Sequence, residues 1–274
     1  MLAHTRGAQR LRHSQPKYYN DNDNKSAPVQ EPHKTMKPLA QPANEPAKKD
    51  TNRSEIVYIN LRRAIIEQAL LPGDKLPEDI IGERFGVSRT IVRGVLTRLF
   101  SEGLVDLRPN RGAAVARPSL EEAHDIFEAR RCLERDVARR LLQHITEAGL
   151  TRLARHVEEE EAARKRNSTN ESIRLSGEFH ILMAELSGNA VYARYVNEIV
   201  SRCSLILALY GRPHSSECAV SEHRDIVQGL RARDEKHVLH LLEHHLESVT
   251  ARALLSTDGS GVRDIRKILD RYGT

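Results

Sequence analysis

Thirteen histidines in 274 residues are enough to build a metal centre, and their placement separates three of them from the rest. Along the last long helical stretch Val238, Leu241, Leu242, His245 and Val249 share one face, so His245 is directed inward. His240 and His244 lie one turn apart on a different face and are expected in solvent. His180 follows Phe179 beside the face that carries Met183, and His223 sits within Ser221-Glu222-His223-Arg224-Asp225-Ile226. Three inward histidines from three helices suit Zn²⁺, Ni²⁺ or a similar borderline ion with positions left open for an anion; the same spacing also suits buried, hydrogen-bonded imidazoles. Hydrolysis at such a centre would need a base, for which Glu134 or Glu222 are the candidates. With no HExxH motif, nucleophile elbow or phosphate loop in the chain, an enzyme is not expected. Cys132, Cys203 and Cys218 are an odd number without CxxC spacing, which argues against a disulfide scaffold or a cysteine-bound metal.

A second set of residues suits contact with a polyanion. Ser88 can cap a helix that opens with Arg89, Thr90 and Arg93, while Ile91, Val92, Val95, Leu96 and Leu99 form its apolar side. Arginines at the start of such a helix can make bidentate bonds to guanine, and Ser88 with nearby amides can meet phosphate. Leu104 to Arg108 and Ala113 to Ala116 alternate as two short strands around Pro109-Asn110-Arg111-Gly112. Gly112 lets that tip approach a duplex closely, and Arg111 can reach into a minor groove.

These groups need a scaffold, and the composition says which kind. Aromatic residues make up 4% of the chain, Trp is absent and 30% of residues are charged, so the core is expected to be aliphatic and mainly helical. No run of apolar residues is long enough for a membrane span or a signal peptide, which places the expected protein in the cytoplasm, away from the membrane. The formal charge of +5 divides into +4 over residues 1–50, +3 over 51–118 and −2 beyond, so the basic excess is at the front. Residues 1–50 hold six of the eleven prolines and no periodic pattern, and are expected to form a disordered basic arm. Residues 51–118 read as helix, helix, tight turn, helix and hairpin: a winged helix-turn-helix in which the first helix covers Ser54 to Gln68 and the second begins near Pro77. From 119 to 255 the spacing predicts helices over 120–144, 148–165, 170–187, 189–211, 216–232 and 234–254, an antiparallel bundle. Residues 256–274 form a C-terminal extension, with one short helix expected between Val262 and Tyr272 that either packs in a dimer or has no fixed role.

Residues 54–118 resemble the winged helix-turn-helix domain of the GntR family of bacterial transcription regulators. The resemblance is carried by Leu70-Leu71-Pro72-Gly73-Asp74-Lys75-Leu76, by Phe85-Gly86-Val87-Ser88-Arg89-Thr90-Ile91-Val92-Arg93, by Glu102-Gly103-Leu104-Val105 and by Asn110-Arg111-Gly112. It implies double-stranded operator DNA as partner, contacted by Ser88, Arg89, Thr90, Arg93, Asn110, Arg111 and Gly112. Where the family has Pro-Val-Arg-Glu-Ala this chain has Ile91-Val92-Arg93-Gly94-Val95, and Gly94 costs about 1 kcal/mol of helix propensity.

The rear half resembles the FCD effector domain of the FadR-like branch, through Phe127-Glu128-Ala129-Arg130, Leu133-Glu134, Glu178-Phe179-His180, Ser187-Gly188-Asn189, Glu222-His223-Arg224-Asp225-Ile226 and His245-Leu246. The likeness implies a homodimer, more often a repressor, whose operator affinity changes when a small carboxylate-bearing metabolite enters the helical domain. It also implies one divalent metal such as zinc or nickel per subunit, held by an aspartate and three histidines. The matching histidines are His180, His223 and His245; the aspartate's position, one turn before His180, is Ser176. Arg130 is the residue that the resemblance assigns to the effector's carboxylate. The alternatives are a metal-free regulator with a differently anchored effector and a DNA-organising structural protein.

Overall fold

A computed structural model describes residues 45–109, 111–211, 217–253, 265–270 and 272. The first helix, α1 (Glu45–Ile66), starts inside the segment expected to be an arm, so the boundary at residue 50 falls within a helix. Val57, Leu61, Ala64 and Ile65 form its buried face, as their spacing predicts. It ends two residues earlier than expected: Gln68 takes a left-handed φ of +56°, and the Leu70 N–H folds back to Ala64 O at 2.9 Å. The short α2 (Glu78–Phe85) is stopped by Gly86 at φ +62°, ψ +38°, a left-handed cap that glycine adopts without strain. Ser88 then caps α3 (Arg89–Ser101), its Oγ accepting the Ile91 N–H at 3.4 Å. Val92, Val95, Leu96 and Leu99 are buried against α1, while Ile91 lies at the margin, only half-buried.

The hairpin is present as β1 (Val105–Arg108) and β2 (Gly112–Val115), antiparallel, with Val105 opposite Val115 and Arg108 opposite Gly112. A third stretch joins it. Lys75 bridges Ala114, and Leu76 N–H donates to Ala113 O at 2.9 Å, so the Pro-Gly turn after α1 anchors the wing as well as ending the helix.

The rear half is the expected bundle: α4 (Leu120–His144), α5 (Glu147–Lys165), α6 (Thr169–Leu186), α7 (Ala190–Tyr210), α8 (Glu217–Ala232) and α9 (Glu235–Ala253). Caps mark its entries. Ser119 Oγ accepts from Glu122 N at 3.1 Å, Thr146 Oγ1 from Gly149 N at 3.2 Å, and Asn189 Oδ1 from Val191 N at 3.0 Å. Helix α4 packs on α6, α7 and α9, and α5 on α6 and α8. Their apolar faces, with Val137, Leu141, Leu153, Val157, Phe179, Met183 and Leu242, enclose a core into which His180, His223 and His245 project. No helix among the described residues is long and apolar enough to cross a membrane.

The short α10 (Ile265–Leu269) packs on the front half, against α1 and α2. Leu269 and Tyr272 enter the same core as Val57 and Leu61. Arg84 binds Leu269 O at 3.4 Å and Asp270 Oδ1 at 3.2 Å, and Tyr272 Oη donates to Glu67 Oε2 at 2.6 Å. Residues 265–270 and Tyr272 therefore have a fixed place within their own chain. Buried Glu67 also accepts from Arg174 of α6 at 3.0 Å, which ties α1, α6 and the C-terminal segment together.

Candidate DNA-reading face and histidine centre

The start of α3 presents Arg89, Thr90 and Arg93 to solvent, because the apolar residues between them turn toward α1. Arg93 Nε donates to both oxygens of Glu78, at 3.0 and 2.8 Å. An exposed pair of this kind contributes at most about 1 kcal/mol, so it orients the guanidinium and yields readily to a better acceptor. Ser88 Oγ is engaged as the cap acceptor and keeps its O–H for a further partner. At the wing tip Arg111 and Gly112 are exposed; Gly112 has φ +74° and no atom within 4 Å of where a Cβ would stand. Asn110 lies outside the described residues. Arg89 and Arg111 come together around one shallow concavity between α3 and the wing, and Lys75 joins them there. Lys75 was not singled out from the sequence: its place follows from the backbone bridge to Ala114.

Within the bundle the three predicted histidines meet. His180 (α6), His223 (α8) and His245 (α9) are each 2% exposed or less. Their Nε2 atoms converge, with His180 to His245 at 3.1 Å and His223 to His245 at 3.3 Å. Each Nδ1 faces a carboxylate: His180 meets Glu134 Oε2 at 2.6 Å, His223 meets Glu160 Oε2 at 2.8 Å, and His245 meets Glu222 Oε2 at 2.6 Å. His240 and His244 are exposed, as their helical face predicts.

The carboxylates set the tautomers. A neutral imidazole that donates Nδ1–H to an acid carries a lone pair on Nε2, and the three Nε2 atoms are turned toward one another. Burial lowers the His180 ring to about 4 despite the opposing pull of Glu134, and burial with the neighbouring His223 and His180 lowers His245 well below the ordinary histidine range. Burial raises the Glu134 carboxyl, but His180 and Arg130 pull it the other way and hold it at about 2. Imidazoles backed in this way by carboxylates form a donor set for a cation. Tetrahedral zinc, with Zn–N of about 2.0–2.1 Å, has ligand nitrogens about 3.3 Å apart, close to the spacings above.

The carboxylates behind the histidines were not assigned that role from the sequence. Glu160 lies in the run Glu158 to Glu161, and only its spacing from Leu150, Leu153 and Val157 sets it on the buried face. Glu134 and Glu222, the candidate bases of the sequence, each orient a ring instead. Arg130, assigned by resemblance to the effector, gives its Nε to Glu134 Oε1 at 2.6 Å and is 5% exposed. It also borders a cavity of about 440 Å³ beside the histidines, whose wall includes Ser176, His180, His245 and Arg252. Ser176 thus stands at the open side of the centre, where an aspartate would have supplied a charge. Arg252 forms no hydrogen bond or ion pair among the described residues.

Comparison with known proteins gives this arrangement its family. Residues 53–115 match the bacterial regulatory proteins of the gntR family, and residues 125–248 match the FCD domain; together they span about two thirds of the chain. The HTH-type transcriptional repressor RspR of Escherichia coli (strain K12) is 26% identical over 195 residues, covering 71% of this chain and 86% of that protein. The HTH-type transcriptional repressor NanR of Escherichia coli (strain K12 / DH10B) is 26% identical over 225 residues, covering 72% and 83%. Among solved structures, E. coli McbR/YncC has the same fold, with a TM-score of 0.67 at 19% identity over 73% of this chain and 96% of that one. With a winged helix-turn-helix in front and an FCD bundle behind it, the chain belongs to the GntR family of bacterial regulators, in the FadR-like arrangement, and is a DNA-binding transcriptional regulator.

Proposed function

We propose that the protein is a homodimeric repressor whose two winged domains read the half-sites of an inverted-repeat operator, and whose helical domain releases or tightens that grip when it binds a small carboxylate-bearing metabolite. Ser88, Arg89, Thr90 and Arg93 enter the major groove, and Asn110, Arg111 and Gly112 approach the neighbouring minor groove. His180, His223 and His245 hold one divalent cation, zinc or nickel. The cation supplies a Lewis-acidic seat for the effector's carboxylate. Ser176 adds no charge there, so the effector itself provides the anionic oxygen. Arg130 acts mainly through Glu134, and its remaining N–H groups border the space where the carboxylate would lie.

The observation that carries this reading is the convergence of three buried Nε2 atoms beside a cavity of about 440 Å³. Repression is the activity in the names of RspR and NanR and comes to this chain by that likeness. The test is to select duplexes from a random pool, then titrate the zinc-loaded protein onto the enriched sequence with and without a panel of small carboxylic acids. Inverted repeats should be enriched, and at least one acid should change affinity by about 5-fold to 150-fold, the usual range of coupling between sites. Enrichment of asymmetric sequences would remove the dimer, and indifference to every acid and to chelator would remove effector control.

A further inference from the structure

The cavity beside the histidines does not end within the helical bundle. Arg62, Ile66 and Gln68 of the DNA-binding half line it, facing Thr169, Ser172 and Ser176 on α6. Three features at this end have no internal explanation, one of them the buried Nε of Arg62, which makes no hydrogen bond. Ser172 is 4% exposed and its Oγ has no hydrogen-bond partner, although a buried hydroxyl left unpaired carries the whole cost of its lost hydration. Gln68 is held at φ +56°, uncommon for a glutamine, and its side-chain nitrogen makes only a long 3.4 Å contact with Ser204 O. Strained and unsatisfied groups gather where a ligand completes the structure.

We propose that this end is a second subsite, in which Ser172 Oγ and the Gln68 side chain hold a hydroxyl group of the effector, so that the ligand runs from the histidines to the DNA-binding half. The proposal rests on the effector reading above. The charges nearby select the chemistry. Arg174 is already paired with Glu67 and Glu178, and Arg62 has its charge balanced by Glu102 at 3.5 Å and its Nη2 bonded to Asn197 and Ser201, leaving only its Nε without a hydrogen bond, so each cation at this end has an acid beside it and a second carboxylate gains little. A serine and an amide, which both donate and accept, suit a neutral hydroxyl. The ligand is therefore a hydroxylated carboxylic acid. Gln68 follows Glu67, which holds Arg174 and Tyr272, so occupation of the subsite acts directly on the end of α1.

The test uses the zinc-loaded full-length protein and three six-carbon acids that differ only at the far end: hexanoate, 6-hydroxyhexanoate and adipate. Calorimetry should give 6-hydroxyhexanoate an affinity about tenfold above hexanoate, the worth of one or two net hydrogen bonds, with adipate no better than hexanoate. Ser172→Ala should shrink that preference to within about threefold while leaving hexanoate binding unchanged, hexanoate serving as the internal check on folding. Gln68→Asn, which tolerates the left-handed backbone, should do the same. Hexanoate binding as tightly as 6-hydroxyhexanoate, or a preference that survives both substitutions, would overturn the subsite alone. A protein that binds none of the three acids would overturn the effector reading and the subsite with it.

Discussion

Arg130 and Glu134 stand one turn apart on α4, joined Nε to Oε1 at 2.6 Å, and both are almost fully buried. The second oxygen of Glu134 grips His180 Nδ1, so the arginine fixes the carboxylate that fixes the ring. Removing one member of a buried ion pair leaves an uncompensated charge and costs about 3–5 kcal/mol.

Arg130→Met should therefore destabilise the chelator-treated protein by about 3–5 kcal/mol, whereas Arg130→Met combined with Glu134→Gln should cost less than the two single changes added together. Urea unfolding of the four proteins measures this coupling. Additive losses would mean that the pair does not act as a unit.

Ser176→Asp places a carboxylate one turn before His180, on the open side of the centre. Affinity for zinc should rise by about tenfold or more, since an anionic oxygen joins three neutral nitrogens. Competition titration with a zinc-sensitive dye reads the change. An unaltered affinity would show that position 176 does not reach the ion.

Arg93→Ala removes an exposed side chain that, among the described residues, is restrained by Glu78 alone, so the thermal midpoint should hardly move. If Arg93 reads a base edge, binding to the selected operator should weaken by about 1–3 kcal/mol more than binding to random duplex. Equal weakening on both DNAs would assign Arg93 to phosphate instead.

Tyr272→Phe deletes the hydroxyl that Glu67 accepts at 2.6 Å while keeping the ring in the front core. A hydrogen bond to a charged group contributes about 1.5–3 kcal/mol, and the variant should lose that much stability. Unchanged unfolding in denaturant would mean that the C-terminal segment does not brace α1.

The helices of the rear half were readable because their apolar residues recur with a 3.6-residue period and because Ser187-Gly188-Asn189 and similar breaks separate them. The same periodicity sorted inward His245 from exposed His240 and His244. It did not reveal partners. Glu160 looks like one acid among four until the buried face of α5 is known, and Arg130 was assigned to a ligand because nothing in its spacing shows how fully Glu134 engages it. Ile265, Ile268, Leu269 and Tyr272 announce a short apolar face without saying which surface it covers. Lys75 reaches the DNA-facing concavity through a backbone pairing that side-chain patterns do not record.

The central claim is that His180, His223 and His245 hold a cation, and metal analysis combined with native mass spectrometry tests it most directly. Protein purified without chelator or a metal-affinity tag should carry one zinc or nickel ion per subunit, and His223→Ala should lose it. Metal-free wild-type subunits that also take up no zinc when it is supplied would contradict the account.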